Sequence, residues 1–238
     1  MGNALRGKRV LVVGRGSGIA RAVTLLARSE GAEVVVAGRN KDTLASAYDD
    51  SGITAEVIDI TDDASIASLA DRLGSIDHVV STASARARGK LSELEREDVQ
   101  RSFDTKVIGP TMLAKYFAPR MNPGGSFVLF SGVNAFKVSI GYLGVAITNG
   151  AVDFLTRSLA VELAPIRVNA ISPGVIDTGA WDTMGEEGKR AYFERVGAEN
   201  PAGRIGSPED VAEAVLFAMT STFMTGVMLK IDGGEPLT

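Results

Sequence analysis

The chain contains no cysteine. Disulfides, thiolate catalysis and cysteine-based metal centres are therefore excluded, and a reducing compartment suits it. Histidine is almost absent too: His78 is the only one. It opens an apolar β-type run, away from the end of a sheet where clefts form, so a structural role is expected for it rather than catalysis. The acidic residues show no ligand-type clustering, and no metal site is expected. Positive charge is not in excess: 25 Lys and Arg face 29 Asp and Glu, a formal charge of −4. No strong field exists to attract nucleic acid or an anionic membrane surface, and neither is expected as a partner. No apolar run approaches the roughly 20 residues of a membrane span. Residues 1–6 lack the apolar stretch of a signal peptide, and Arg6 stands where a myristoylation signal needs Ser or Thr. A cytoplasmic location is expected. Repeats, low-complexity tracts and long linkers are also missing, so residues 1–238 should form one domain.

What is present is a chain of 238 residues, 45% hydrophobic, enough for a sizeable core. Short β-branched runs recur at 8–13, 33–37, 55–58, 77–81, 126–130, 167–171 and 227–231, with helical patterns between most of them. The first of these helices, 17–29, sets Ile19, Ala22, Val23 and Leu26 on one face. Near-continuous apolar strands alternating with helices predict an α/β fold, a Rossmann-type doubly wound parallel sheet of seven strands. Residues 179–200 break the rhythm with a polar helical insertion suited to a lid over a cleft. Trp181 within it would cover a substrate or pack the lid.

Between the first strand and the first helix lies Gly14-Arg15-Gly16-Ser17-Gly18-Ile19-Ala20. Gly14 permits a tight turn, Gly18 lets backbone approach a pyrophosphate, and Ala20 is small enough for helix to pack on strand. The helix N-terminus adds free N–H groups and a positive dipole end. The generic GxGxxG spacing fails at Ile19, so ordinary loop chemistry stays open on this evidence alone.

The turn resembles the TGxxxGIG motif of the short-chain dehydrogenases/reductases, with Val13 for the Thr and Ala20 for the last Gly. Further resemblances follow in the family's order. Asp59, followed by Ile60, matches the Asp that meets the adenine edge, and Ala83 matches the Ala of the NNAG motif. Residues 167–178 are similar to the nicotinamide-side segment, in which Pro173, Gly174, Ile176 and Thr178 would contact the carboxamide end. Residues 204–212 and 225–234 also read like family members. The resemblance implies a dinucleotide cradle that includes Ser17, and a homodimer or homotetramer paired through the helix over 150–163.

The second predicted strand ends in Gly38-Arg39-Asn40 with no carboxylate for a ribose 2′-hydroxyl. An Arg there accommodates a 2′-phosphate, and Arg15 approaches the same group from the glycine turn, so NADP(H) is the expected cofactor. The alternative is that both are solvated surface arginines.

The resemblance breaks at the proton-transfer residues. Counting back from the helix after the family's YxxxK puts Asn149 at the Lys position and Val145 at the Tyr position. Gly132 takes the Ser position, with Ser131 one residue earlier, and Lys106 takes the position of the family Asn. Lys106 would bring an ammonium toward the nicotinamide ribose, and a partly desolvated Lys titrates readily. Tyr142 lies three residues before Val145 and would share its face if the helix includes it. Lys106, Ser131, Tyr142 and Asn149 are thus the catalytic candidates. The bland alternatives are a solvated helix charge for Lys106 and a loop or core aromatic for Tyr142. These residues leave three functions open: an NADPH-dependent reductase of a small carbonyl or imine, a cyclase using the nucleotide as a scaffold, and a nucleotide-binding protein without turnover.

Overall fold

A computed structural model describes residues 2–238. Seven parallel strands lie in the order β3-β2-β1-β4-β5-β6-β7. They are β1 (Arg9–Val13), β2 (Glu33–Gly38), β3 (Ile53–Val57), β4 (Ile76–Ser81), β5 (Met121–Phe130), β6 (Arg167–Pro173) and β7 (Met228–Ile231). Their parallel registers run through pairs such as Val12↔Val80 and Val128↔Asn169. The helices are α1 (Gly18–Ser29), α2 (Lys41–Ala45), α3 (Asp63–Leu73), α4 (Arg96–Phe103), α5 (Gly109–Phe117), α6 (Leu143–Glu162), α7 (Gly185–Glu199) and α8 (Pro208–Thr220). Among the described residues, no helix is long and apolar enough to cross a membrane.

Because successive strand residues point to opposite faces, each strand feeds two cores. Leu11, Val79, Phe127 and Leu129 pack with Leu69, Leu113, Phe117 and Val152 of α3, α5 and α6. Val10, Val12, Val80 and Val128 pack with Val23 and Ala27 of α1 and with Val211, Val215 and Met219 of α8. Each of the Val, Leu, Phe and Met side chains among them contributes about 1.5–3 kcal/mol by leaving water. The chain reverses winding direction between β1 and β4, which opens a crevice at their carboxyl ends.

Several boundaries differ from expectation. β3 is Ile53–Val57 rather than 55–58, since no residue of this edge strand is fully buried and its apolar signal is weak. β5 begins at Met121, five residues early, because Ile76 pairs with Met121 before the register shifts at His78 and Ser126. Gly124, at φ +83, lies in this irregular stretch, where Pro123 and two glycines break the β-branched pattern. Tyr142 does not belong to α6; it is the residue before the helix, with φ −119 and ψ 12. The insertion after β6 is a 3₁₀ turn, Gly179–Met184, followed by α7. His78 is buried in β4 and shares a 2.8 Å hydrogen bond between Nδ1 and Ser126 Oγ, a structural placement.

Candidate active site

The crevice begins at the glycine turn. Gly14 N–H donates to Ala37 O at 3.0 Å, and a Cβ at Gly14 would sit 2.1 Å from Thr82 Oγ1. Thr82 itself closes the turn by donating to Val13 O through both N–H and Oγ1. Only glycine fits there. Gly18 has φ +56, and a Cβ on it would press on Thr178 at 3.3 Å, so the turn and the segment after β6 face each other across the crevice. Ser17 is the N-cap of α1 but its hydroxyl caps nothing, and the first turn holds no acidic residue. The N–H groups of that turn are left for a ligand. Ala20 is buried beneath, while Ile19 packs against the α1 and α8 core.

Arg39 follows β2 directly and is exposed, as is Arg15 in the turn. Asp59 stands beyond β3, its Oδ1 accepting from Thr61 N–H at 2.9 Å and Thr61 Oγ1 at 2.7 Å. These hydrogen bonds, aided by the charge of Arg39, hold its carboxyl below the usual range. Ile60 is buried against Gly109, where a Cβ would meet Ile60 O at 2.7 Å. Ala83 packs partly into the α3, α5 and α6 core. Past β6, Gly174 N–H donates to Ile231 O at 3.0 Å, and its Cα hydrogen lies where a Cβ would strike Asp232. Pro173 ends the strand in register with Ile231. The Ile176 side chain is not directed to the crevice: it is buried in the α1 and α8 core against Gly206, and its carbonyl accepts from Trp181 Nε1 at 2.8 Å. Thr178 caps the 3₁₀ turn by accepting from Ala180 N–H.

The catalytic candidates gather at the other end of the crevice. The chain between α4 and α5, Asp104–Ile108, is a π-helical turn, a geometry that widens the helix and recurs at functional sites. Lys106 lies in it and is buried rather than solvated, 7% exposed. Its Nζ donates to Ser131 O at 3.0 Å. Burial, with the Arg86 guanidinium adding to it, pulls this ammonium down to about 7. Ser131 Oγ donates in turn to Asn149 O at 2.9 Å, and Asn149 Nδ2 donates to Gly132 O at 3.3 Å. Asn149 Oδ1 is buried without a hydrogen-bond partner. A side chain at Gly132 would crowd the Asn149 amide at 3.0 Å, so the emptied Ser position is tied to the residue at the emptied Lys position. Val145 is buried beside them and offers no donor. Tyr142 meets this end from outside the helix, with the Arg88 guanidinium 5.3 Å from its ring.

Two residues escaped the sequence reading. Arg86 and Arg88 lie on the extended loop that leaves β4. Ala85 O accepts from Ser102 Oγ at 2.9 Å, Ala87 is buried where a Cβ on Gly144 would collide with it, and Gly89 N–H donates to Gly141 O at 3.0 Å. With alternate residues pinned to α4, α6 and the loop before α6, Arg86 and Arg88 are turned outward and exposed. The alternation Ala-Arg-Ala-Arg-Gly after a switch-point strand was the available signal. Above them the insertion is stitched together: Trp181 stacks on Tyr192 at 4.9 Å, and Lys189 bridges Asp177 and Asp182 at 2.9 and 3.0 Å.

Comparison with known proteins gives a consistent result. Residues 13–235 match the family model described as enoyl-(acyl carrier protein) reductase. The short-chain dehydrogenase/reductase ATR9 of Stachybotrys chlorohalonatus is 36% identical, with 97% of each chain covered. Among solved structures, a small-chain dehydrogenase in complex with NADPH superposes with a TM-score of 0.85 at 32% identity, covering 97% of this chain and 99% of the other. The MalC reductase/Diels-Alderase of Malbranchea aurantiaca superposes with a TM-score of 0.91 at 30% identity, covering 99% of each.

Proposed function

This chain belongs to the short-chain dehydrogenase/reductase family, and we propose that it is an NADPH-dependent reductase of a small carbonyl or imine that works without the family's Ser, Tyr and Lys. The observation that carries this reading is Lys106: a buried amine, brought to about 7, held at 3.0 Å by the Ser131 carbonyl in the crevice. A group titrating near the working pH is the one best suited to exchange protons during reaction.

The residues present fit a phosphorylated dinucleotide. Gly14 and Gly18 leave room for its diphosphate at the α1 N-terminus, and Arg39 and Arg15 would meet the 2′-phosphate. Asp59, Ile60 and Ala83 would border the adenosine, with Pro173, Gly174 and Thr178 bordering the nicotinamide. The unpartnered Asn149 Oδ1 is a buried acceptor awaiting a hydroxyl, as a ribose offers. When bound, NADPH supplies the hydride. The protein's share is to orient the acceptor, exclude water beneath Trp181 and α7, and deliver a proton. Lys106 does the last as an ammonium, polarising the acceptor or relaying through water. The four candidates thus divide into Lys106 as the acid, Ser131 and Asn149 as the frame that fixes it, and Tyr142 as a wall of the substrate end.

Within this reading the imine branch is favoured by Val145, where the chain offers no proton donor. An iminium acceptor becomes a neutral amine on receiving hydride and needs no proton, so the loss of a Tyr at Val145 would cost such a reaction nothing. Loss of NADPH absorbance against a panel of ketones, aldehydes and cyclic iminium ions tests both. Turnover of carbonyls should fall as pH rises through about 7, because deprotonated Lys106 cannot donate. Turnover of preformed iminium ions should not follow that titration. Tight NADPH binding with no turnover on either class would sink the reductase reading in favour of a scaffold.

A further inference from the structure

The crevice holds more positive charge than a dinucleotide needs. Among the described residues, no ion pair takes Arg15, Arg39, Arg86 or Arg88. Arg15 and Arg39 flank the glycine turn and are accounted for by cofactor phosphate. Arg86 and Arg88 are not. Arg86 lies close enough to Arg88, Arg15, the Tyr142 phenol and Lys106 for their charges to act on one another. Arg88 is held farther out, its guanidinium 5.3 Å from the Tyr142 ring and 5.8 Å from the Trp181 ring. Two cation–π contacts hold the guanidinium, and among the described residues none of its N–H groups is taken by a protein acceptor. The loop beneath both is pinned at Ala85, Ala87 and Gly89. Arg88 is held by two rings, Arg86 stands two residues earlier on the same pinned loop, and among the described residues no carboxylate pairs with either, so the like charges are placed for an anionic ligand.

We propose that Arg86 and Arg88 form an oxyanion site in the substrate half of the crevice, and that the substrate carries a carboxylate or phosphate near its reducible bond. This deepens the reductase reading by naming the substrate class, but its test needs no turnover. Trp181 is the only tryptophan and stands against Arg88, so its fluorescence reports occupancy.

The experiment uses protein saturated with NADP⁺, titrated with 2-oxobutanoate, its methyl ester and inorganic phosphate, with calorimetry alongside. The acid should quench Trp181 saturably and the ester should bind at least about tenfold more weakly. Arg86→Gln and Arg88→Gln should each weaken 2-oxobutanoate by about tenfold or more while NADP⁺ affinity changes less than about threefold. Phosphate binding more tightly than 2-oxobutanoate, with the same dependence on both arginines, would assign the site to phosphate esters; the reverse order assigns it to carboxylates. Equal binding of acid and ester overturns the proposal. So does a loss of NADP⁺ affinity in Arg86→Gln as large as the loss of 2-oxobutanoate, which would give Arg86 to the cofactor diphosphate. Absence of turnover with any substrate would leave these binding results standing.

Discussion

At the amino ends of the central strands, buried charge is met by partners. Asp77 accepts from Lys8 Nζ at 3.1 Å and from Arg9 N–H at 2.9 Å, Arg167 donates to Ala218 O at 2.8 Å and Met219 O at 2.6 Å, and His78 is bonded to Ser126. At the carboxyl ends of the same strands, Arg15, Arg39, Arg86 and Arg88 have no ion-pair partner among the described residues, and Asn149 Oδ1 has no hydrogen bond to them. Polar groups at the amino end are mostly satisfied, Arg9 Nε being an exception, and stabilise the sheet; the unpaired groups at the carboxyl end are available to a ligand. The difference separates the residues that should fail in stability from those that should fail in function.

The largest expected effect tests the amino end. Burial drops the His78 imidazole from its ordinary 6.5 to about 4, against the opposing pull of Asp77. Its folded pKa lies below its unfolded one, so the unfolded chain takes up a proton first as pH falls. Stability should therefore decline from about pH 6.5 down to about pH 4, by on the order of 3 kcal/mol for this group if nothing relaxes. His78→Asn removes the titration while keeping a polar side chain. Thermal unfolding at pH 7 and pH 5 should show a smaller acid loss in the variant; parallel losses would mean the imidazole does not set this pH dependence.

At the carboxyl end, Lys106→Met keeps most of the stem and removes the charge. Carbonyl turnover should fall by about 10²-fold or more, the scale of a lost acid, while NADPH affinity stays within a few-fold. The fold should not suffer, because the substitution relieves a desolvated amine that has a single carbonyl partner. Parental turnover between about pH 6 and 9 would reduce Lys106 to a structural residue and erase the contrast between the two ends.

Arg39→Ala addresses the outer part of the same end. Losing a charge-assisted contact to the 2′-phosphate should cost NADPH about 1.5–3 kcal/mol and leave NADH nearly unchanged, as read by nicotinamide fluorescence. Equal weakening of both would show that the guanidinium stacks on adenine rather than reading phosphate.

How much of this was legible in the sequence follows the range of the forces involved. The seven strands and the glycine turn were visible because β-branched runs and small residues act locally, and their alternation leaves few topologies. The positions of Lys106 and Asn149 came from counting along a resemblance. The burial of Lys106 did not, since it arises from a π-helical turn and from α6 and Ser131, separated from it by 25 residues or more. Tyr142 could be numbered but not oriented, because the helix start was fixed by the loop before it. Arg86 and Arg88 belong to no motif; their outward display depends on Ser102 and Gly144 pinning their neighbours from distant helices.

The smallest effect on chemistry should come from the outer face of α6. Val152 and Leu159 are buried and Leu155 and Leu163 partly so, as the helix's inward stripe requires. Phe154 and Val161, by contrast, are 69% and 81% exposed, and Ile147 and Leu143 add to the same helix's accessible apolar surface. Arg157 covers part of the Phe154 ring at 4.3 Å, which shields it only on one side. Exposed apolar residues concentrated on one long helix fit a partner helix better than solvent. We expect a homodimer or homotetramer paired through this face, and Phe154→Asp should lower the assembly state at micromolar concentration, as seen by light scattering. Because Asn149 and Val145 occupy the buried side of the same helix, turnover and NADPH affinity should change by no more than about twofold unless dimerisation orders the site. A parent chain that is already monomeric would remove the reason for the exposed stripe. A dissociated variant that also loses turnover would show that the carboxyl-end site depends on the partner as well as on its own strands.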